Sequence, residues 1–311
     1  MGSDKQTTIW AVVVTFNRKA LLIRCISALH DQSLSPDHIL IVDNASSDGS
    51  AEALESAGLL GRTDTTYRRL EENRGGAGGF ADGIAYALEQ GADWIWAMDD
   101  DAIPEPDALE SLMAVQPSSA HVYASIAGSD GRLAWPLKPL NEHPAKMLLG
   151  VSEVPDVVEV ENVPFLGLLV HRDLIRRLGV PCSEFFIAAD DTEFCVRARK
   201  NGARIFAVGT SRISHPNSQL LRIGRGSLSM TYLDLPPWKR YYDTRNRLFI
   251  AKRHYGYRLW TRTLPGALGR GLVAISRGPR RRAQLKATVA GIFDGLTGRA
   301  GRRHDFWELL P

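Results

Sequence analysis

Three consecutive aspartates, Asp99, Asp100 and Asp101, follow an apolar segment at residues 94–98. Adjacent ionised carboxylates repel one another, and a divalent cation relieves this repulsion because Mg²⁺ and Mn²⁺ prefer hard oxygen ligands. A metal ion there could also neutralise a diphosphate leaving group. The alternative is a solvated loop whose acids begin the helix that Pro104 introduces. The position after an apolar strand, the fourth in a series, favours the metal site.

Two further aspartates, Asp190 and Asp191, precede a predicted helix at residues 192–200. Asp190 and Glu193 have the spacing of a capping box, which would explain both without any function. Asp191 is then left over, and apolar neighbours together with a second carboxylate could tune its pKa for a general base. An acid that merely interacts with the helix dipole is the alternative.

A single histidine, His215, follows a predicted strand at residues 212–214 and precedes Pro216. Imidazole beside two carboxylates is an acceptable ligand set for Mn²⁺. An isolated histidine can also be structural, so its position alone does not decide between the two roles.

The glycine-rich segment at residues 75–79 comes before a predicted helix at residues 79–90, and from Gly76 onward it satisfies the pattern GxGxx(G/A). Dinucleotide-binding loops have this pattern, so an NAD-dependent oxidoreductase is one alternative. Such loops usually follow the first strand, whereas this segment follows the third, more polar one. Glycines that allow a helix to pack closely on the sheet are a second alternative. We favour a loop that approaches a nucleotide sugar.

The elements that must position these residues alternate between strand and helix patterns. Apolar segments at residues 9–16 and 38–44 are typical of strands buried on both faces. Predicted strand ends near residues 16, 43, 70 and 98 are 27 or 28 residues apart, close to the length of a β-α-β unit. Ligands bind at the carboxyl ends of such parallel strands. The predicted fold class is α/β with a mainly parallel central sheet.

The net charge of +3 conceals an uneven distribution. Residues 252–303 contain 13 Lys or Arg and a single acid, Asp294, whereas the rest of the chain has 25 basic and 34 acidic residues. This basic stretch also contains apolar residues: Trp260, Leu264, Leu268, Leu272, Val273 and Ile275. Such a composition suggests association with an anionic membrane surface. The alternatives are a solvated tail, a non-catalytic membrane adaptor or a nucleic-acid patch, and we expect no nucleic-acid partner.

The sequence also indicates the compartment. Residues 1–10 have no apolar signal core, and no apolar run approaches the roughly 20 residues that span a bilayer. The three cysteines form no CxxC pair and have no metal-ligand spacing. We therefore expect a protein of the reducing cytoplasm that is neither secreted nor transmembrane.

Together, these residues resemble glycosyltransferase family 2, whose members are inverting enzymes with the GT-A fold. The matching segments follow family order over residues 9–217: VVVTFNR (12–18), IVDNASSDGS (41–50), NRGGAGGF (73–80), DDD (99–101), FLGLLVHRDL (165–174), ADDTEF (189–194) and HP (215–216). The resemblance implies a Rossmann-like catalytic domain at residues 1–235, with a nucleotide-binding half at about 9–101 and an acceptor half at about 102–235. A helical, basic region at residues 236–311 follows.

The resemblance also implies roles for individual residues. Asp99 and Asp101 would hold Mn²⁺ or Mg²⁺ together with His215, and Asp191 would be the general base. The candidate nucleotide-sugar residues are Thr15, Phe16, Arg18, Asp43, Asn73, Gly76, Asp99 and Asp100.

Within this family, NRGGAGGF, the DDD and the segment KRYYDTRNR (239–247) are similar to the galactofuranosyltransferases of actinobacterial cell-wall galactan. The chain length is closer to the galactan-initiating members. This similarity implies UDP-galactofuranose as donor and a rhamnosyl-GlcNAc-diphospho-polyprenol acceptor at the inner face of the cell membrane. Bacterial rhamnosyltransferases share most of these motifs, so dTDP-rhamnose is the alternative donor.

Overall fold

The computed structural model describes residues 7–140, 147–217, 220–223, 230–277 and 280–309. Residues 1–6, for which no signal sequence is expected, lie outside the described residues, as do residues 278–279 of the basic stretch. The described chain forms an α/β core followed by packed helices.

The first hundred residues form consecutive β-α units, as predicted. The elements are β1 (Ile9–Thr15), α1 (Lys19–His30), β2 (His38–Asp43), α2 (Ser50–Ser56), β3 (Thr65–Arg69), α3 (Gly75–Glu89) and β4 (Trp94–Asp99). These strands pair in parallel in the order β3-β2-β1-β4. Their carboxyl ends therefore lie along one edge, where the polar segments of the sequence converge.

The central part of the chain extends this sheet with antiparallel and parallel strands. It comprises β5 (Ile103–Pro104), α4 (Ala108–Ala114), β6 (Val122–Ser129), β7 (Arg132–Leu137), β8 (Leu148–Gly150), β9 (Val157–Glu159), β10 (Leu166–His171), α5 (Arg172–Leu178), α6 (Asp190–Lys200), β11 (Ile205–Ser214), β12 (Leu220–Ile223) and β13 (Met230–Leu233). Strand β10 is antiparallel to both β4 and β6, and β11 is parallel to β6. The two closing strands predicted at residues 205–208 and 212–214 are one strand, β11, with an irregularity in its pairing with β6 between Val208 and Arg212.

Helix α3 begins at Gly75, four residues before the predicted start, so the glycine-rich segment is its first turn rather than a loop. Two glycines on this helix allow close packing on the sheet. A Cβ at Gly79 would lie 2.5 Å from Cγ1 of Val14, and one at Gly83 would lie 2.7 Å from Cγ1 of Val12. For Gly79 of the glycine-rich segment, the alternative of close helix packing on the sheet is therefore correct.

The C-terminal helices are α7 (Pro237–His254), α8 (Leu264–Arg277) and α9 (Arg281–Thr297), with a π-helical turn at Leu259–Thr263 before α8. Helix α9 packs against α7 through small residues; a Cβ at Gly291 would lie 2.7 Å from the carbonyl oxygen of Tyr241. Asp294, the single acid of the basic stretch, is fully buried and accepts hydrogen bonds from Tyr241, Arg303 and Trp307. It therefore joins the helices to the C-terminal segment.

Candidate active site

The three aspartates lie at the carboxyl end of β4 beside the end of β1, and each has a different environment. Asp100 is 2% exposed and accepts a hydrogen bond of 2.7 Å from Oγ1 of Thr15. Nη1 of Arg18 lies 3.2 Å from Oδ1 of Asp100 and 2.7 Å from Oδ2 of Asp101. Thr15 and Arg18, both predicted site residues, are thus brought to the acids and hold Asp100 in place.

Asp99 and Asp101 have opposite electrostatic tendencies. Burial, and then the charges of Asp101, Asp100 and Asp190, raise the pKa of Asp99 well above its ordinary value. For Asp101, burial is outweighed by the hydrogen bond and charge of His215 and by Arg18, so its pKa is lowered. The edge therefore carries one carboxylate whose negative charge is poorly compensated, a state that a bound cation would reverse.

The chemistry of this donor set fits a divalent cation. Nδ1 of His215 lies 2.7 Å from the carbonyl oxygen of Pro216, and a hydrogen bond from Nδ1–H to this oxygen would orient the ring as in metal-bound imidazoles. Nε2 lies 3.3 Å from Oδ1 of Asp101. Across the described ranges, no three His, Cys, Asp or Glu side chains are arranged as a ready metal site. The ligand set of Asp99, Asp101 and His215 therefore stays a prediction.

The other predicted nucleotide residues line the same edge. Asp43 is fully buried, with Oδ1 accepting from the N–H of Ser46 and Oδ2 accepting from the hydroxyl of Tyr67. Asn73 accepts a 2.8 Å hydrogen bond from the N–H of Gly75 and so fixes the start of α3. These two residues shape the edge through protein contacts, and their contact with a nucleotide stays a prediction.

Phe16 and Gly76 leave open space at this edge. The ring of Phe16 is 41% exposed at the end of β1. A Cβ at Gly76 would meet no described heavy atom within 4 Å, unlike one at Gly79. Close packing therefore does not explain Gly76, which is consistent with its assignment to ligand approach.

The capping box predicted for Asp190 and Glu193 is wrong. Helix α6 begins at Asp190, and its N-cap is Ala189, which has a left-handed φ of 63° and makes no side-chain cap. The carboxylate of Glu193 instead contacts Arg197 and His254. The N-cap is therefore set by the left-handed backbone of Ala189, which the spacing of Asp190 and Glu193 in the sequence does not predict.

Asp190, which is buried, and Asp191, which is half-buried, form an interacting pair at the start of α6. Burial and the charge of Asp191 raise the pKa of Asp190 to about 7. Burial also raises the pKa of Asp191, against the hydrogen bonds from Thr192 and the charge of Arg247. Because Asp190 also acts on Asp99, the pair lies within electrostatic reach of the predicted metal ligands. Either carboxylate has a pKa shifted toward that of a general base.

The segment before this pair, residues 184–189, which we term the base loop, has an unusual backbone. Phe186, Ala188 and Ala189 have φ angles of 64°, 71° and 63°, a region that costs non-glycine residues free energy. The carbonyl oxygen of Phe186 accepts from the N–H of Ala77 at 3.1 Å. A Cβ at Gly75 would lie 2.0 Å from that oxygen, so only glycine fits there.

Two residues of α7 hold the base loop, and neither was predicted as functional from the sequence. Nδ2 of Asn246 lies 3.0, 2.9 and 2.8 Å from the carbonyl oxygens of Phe185, Ile187 and Ala188. Arg245 donates to the carbonyl oxygen of Phe185 at 2.8 Å. Both side chains are fully buried. The available signal was their place in the segment KRYYDTRNR (239–247), which is similar to the galactofuranosyltransferases.

Comparison with known proteins gives one family. The family model described as "Glycosyl transferase family 2" matches residues 10–150. Galactofuranosyltransferase GlfT1 of Mycobacterium tuberculosis is 31% identical over 259 residues, which cover 79% of this chain and 83% of that protein. The dTDP-rhamnosyl transferase RfbF of Shigella flexneri is 24% identical over 308 residues, covering 95% and 97% of the two chains.

The fold has a counterpart among solved structures. The mannosyltransferase PcManGT of Pyrobaculum calidifontis, determined with GDP-Man and Mn²⁺, superimposes with a TM-score of 0.56 at 14% identity. The match covers 95% of this chain and 89% of that one. This likeness confirms the predicted GT-A fold, including its α/β class.

Proposed function

Because this chain belongs to glycosyltransferase family 2, we propose that it transfers galactofuranose from UDP-galactofuranose, with inversion of configuration, to a lipid-linked glycan. The acceptor is a rhamnosyl-GlcNAc unit on a polyprenyl diphosphate, and the pathway is cell-wall galactan synthesis. The 31% identity to a galactofuranosyltransferase supports this donor. The 24% identity to a rhamnosyltransferase over nearly the whole chain makes dTDP-rhamnose the alternative donor.

One observation carries this proposal. Acids from two distant parts of the chain interact electrostatically, since the charge of Asp190 helps to raise the pKa of Asp99. Asp99 and Asp101 follow β4, and Asp190 and Asp191 lie at the start of α6. The first group is suited to a cation and the diphosphate that it neutralises, and the second group to accepting a proton. A direct displacement requires these two functions on either side of the reacting sugar.

The residues then divide the reaction between them. Asp191 accepts the proton of the acceptor hydroxyl as that oxygen attacks the anomeric carbon. Asp99, Asp101 and His215 would hold Mn²⁺ or Mg²⁺, which supplies charge neutralisation for the departing diphosphate. The salt bridges from Arg18 to Asp100 and Asp101 orient these acids. Thr15, Asp43 and Asn73 shape the nucleotide side, while Phe16 and Gly76 leave it accessible.

The C-terminal region is proposed to rest on the cytoplasmic face of an anionic membrane. Trp260, Leu268, Leu272 and Phe306 are 60%, 50%, 68% and 64% exposed within the basic stretch and just after it. Within the described residues, no helix is long and apolar enough to cross a bilayer. Exposed apolar side chains among basic residues are typical of surfaces that bind anionic lipid. A lipid-linked acceptor would be reached from this position.

A panel of nucleotide sugars tests the donor directly. The protein is incubated with acceptor, Mn²⁺ and either UDP-galactofuranose, dTDP-rhamnose or GDP-mannose, and released nucleoside diphosphate is measured. We expect release of UDP from UDP-galactofuranose to be the fastest reaction. Preferential turnover of dTDP-rhamnose would replace the donor assignment with its alternative.

A further inference from the structure

Three arginines from two C-terminal helices surround one buried carboxylate. On α7, Nε of Arg247 lies 2.7 Å from Oδ1 of Asp243, and Nη1 of Arg240 lies 3.9 Å from Oδ2. On α8, Nε of Arg270 lies 4.0 Å from the same Oδ2. We term Arg240, Arg247 and Arg270 the arginine cluster. Three guanidinium charges against one carboxylate leave two positive charges in excess.

The cluster contains donors without acceptors. Arg240 is fully buried, and within the described part of the chain its Nε and Nη1 have no hydrogen-bond partner, nor does Nε of Arg270. Burial and the charge of Arg247 lower the pKa of Arg270 to about 10. Unpaired charge is costly to bury unless a ligand compensates it. The missing component is therefore an anion with several acceptor oxygens.

Arg247 gives the cluster an exposed edge on the side of the general base. The side chain of Arg247 is 42% exposed, and its charge acts on Asp191. Lys239, at the start of the same helix, instead interacts with Asp101 and Asp99. Eight residues separate Lys239 from Arg247, which is about 12 Å along the helix at the standard rise. One helix thus borders the metal-site acids at its start and the general base further along.

We propose that the arginine cluster binds the diphosphate that joins the glycan acceptor to its lipid, an inference that rests on the acceptor named in the proposed function. Guanidinium groups bind phosphate oxygens through paired hydrogen bonds, which the exposed parts of Arg247 and Arg270 can donate, while the buried Arg240 adds positive charge behind them. Bound there, the diphosphate places its sugar toward Asp191.

Inorganic pyrophosphate is the probe for the cluster. Calorimetry of the full chain in EDTA, where no metal ion supports binding at the aspartates, compares wild type with Arg270→Gln. Arg262→Gln is the matched control, because Arg262 is an exposed arginine of the same basic region. We expect Arg270→Gln to weaken pyrophosphate binding about ten- to a hundredfold, the range for charge-assisted hydrogen bonds. The control should match wild type. Equal affinity in all three proteins would overturn the proposal, even if Arg270→Gln lowered the melting temperature.

Acceptor kinetics distinguish the acceptor diphosphate from the donor diphosphate. For Arg270→Gln, we expect the KM of the diphosphate-linked acceptor to rise about tenfold or more. The KM values of the same disaccharide on an uncharged alkyl chain and of the donor should not change. A rise in donor KM alone would overturn the assignment to the acceptor. If Arg270→Gln does not fold, Arg247→Gln, whose side chain is half-exposed, replaces it in the pyrophosphate measurement.

The donor and cluster assignments can fail separately. Turnover of dTDP-rhamnose alone would refute galactofuranosyl transfer, while loss of pyrophosphate binding in Arg270→Gln would still support the cluster. Unchanged pyrophosphate binding would refute the cluster and leave the donor assignment intact.

Discussion

Replacing Asn246 with alanine should separate the chemical step from donor binding. The change removes the amide that donates to the base loop and leaves the carbonyl oxygens of Ile187 and Ala188 without that donor. Phe185 keeps its bond from Arg245. At about 1–2 kcal/mol for each carbonyl left without a partner, the loss is about 2–4 kcal/mol.

This loss is similar to the strain that the loop stores. Three non-glycine residues with positive φ cost on the order of 1 kcal/mol or more each, so the loop should relax once Asn246 no longer holds it. Asp190 and Asp191 follow directly and would leave their positions. We therefore expect turnover to fall about a hundredfold or more, while UDP binding in Mn²⁺ at the β1 and β4 ends stays within about twofold of wild type.

The assay combines single-turnover kinetics, UDP calorimetry and thermal unfolding. Asn201→Ala is the matched control, because Asn201 is exposed and its amide donates to one helical carbonyl, that of Arg197. The control should retain its rate and melting temperature. The reasoning is refuted if Asn246→Ala keeps normal turnover, or if UDP binding falls in parallel with the rate.

Further predictions concern the site and the basic stretch. Asp191→Asn should lower turnover about 10²- to 10⁴-fold with UDP binding unchanged. Asp190→Asn should lower turnover less. Because burial raises the pKa of Asp190 to about 7 in the folded state, its ionised carboxylate destabilises the fold above pH 7, and Asp190→Asn should raise the melting temperature there. A dead Asp190→Asn with an active Asp191→Asn would reverse these roles. Burial raises the pKa of Asp191, so kcat/KM should fall on acidification at a pH above the ordinary pKa of an aspartate, since the base becomes protonated; a fall that begins only at or below that ordinary value would contradict this. His215→Ala should weaken Mn²⁺-dependent UDP binding without unfolding the protein, and full retention of metal dependence would make His215 structural. Co-sedimentation with liposomes should increase with anionic lipid content, and binding insensitive to that content would reject membrane association through the basic stretch.

Periodicity predicted the strands of the first hundred residues to within about two residues, because buried parallel strands have continuous apolar segments. The start of α3 was missed since glycines normally disfavour helix, whereas here Gly75 is required because a Cβ would meet the carbonyl oxygen of Phe186. Local composition cannot report such a tertiary requirement.

In the candidate site, too, some residues could be predicted from the sequence and others depend on tertiary contacts. Residues at strand ends could be predicted because topology alone brings strand ends together. The start of α6 could not be predicted in this way, because its left-handed N-cap, Ala189, depends on Asn246. The amide of Asn246 donates a hydrogen bond to the carbonyl oxygen of Ala188, 58 residues earlier in the chain. The arginine cluster likewise depends on α9, against which both α7 and α8 pack. Contacts of this kind have no periodic signature.

The configuration of the product tests the central claim most directly. The protein is incubated with UDP-galactofuranose, Mn²⁺ and the diphosphate-linked acceptor, and the new glycosidic linkage is assigned by NMR. A single displacement with Asp191 as base predicts a galactofuranosyl product whose anomeric configuration is opposite to that of the donor. A product with retained configuration, or no galactofuranosyl product, would contradict it.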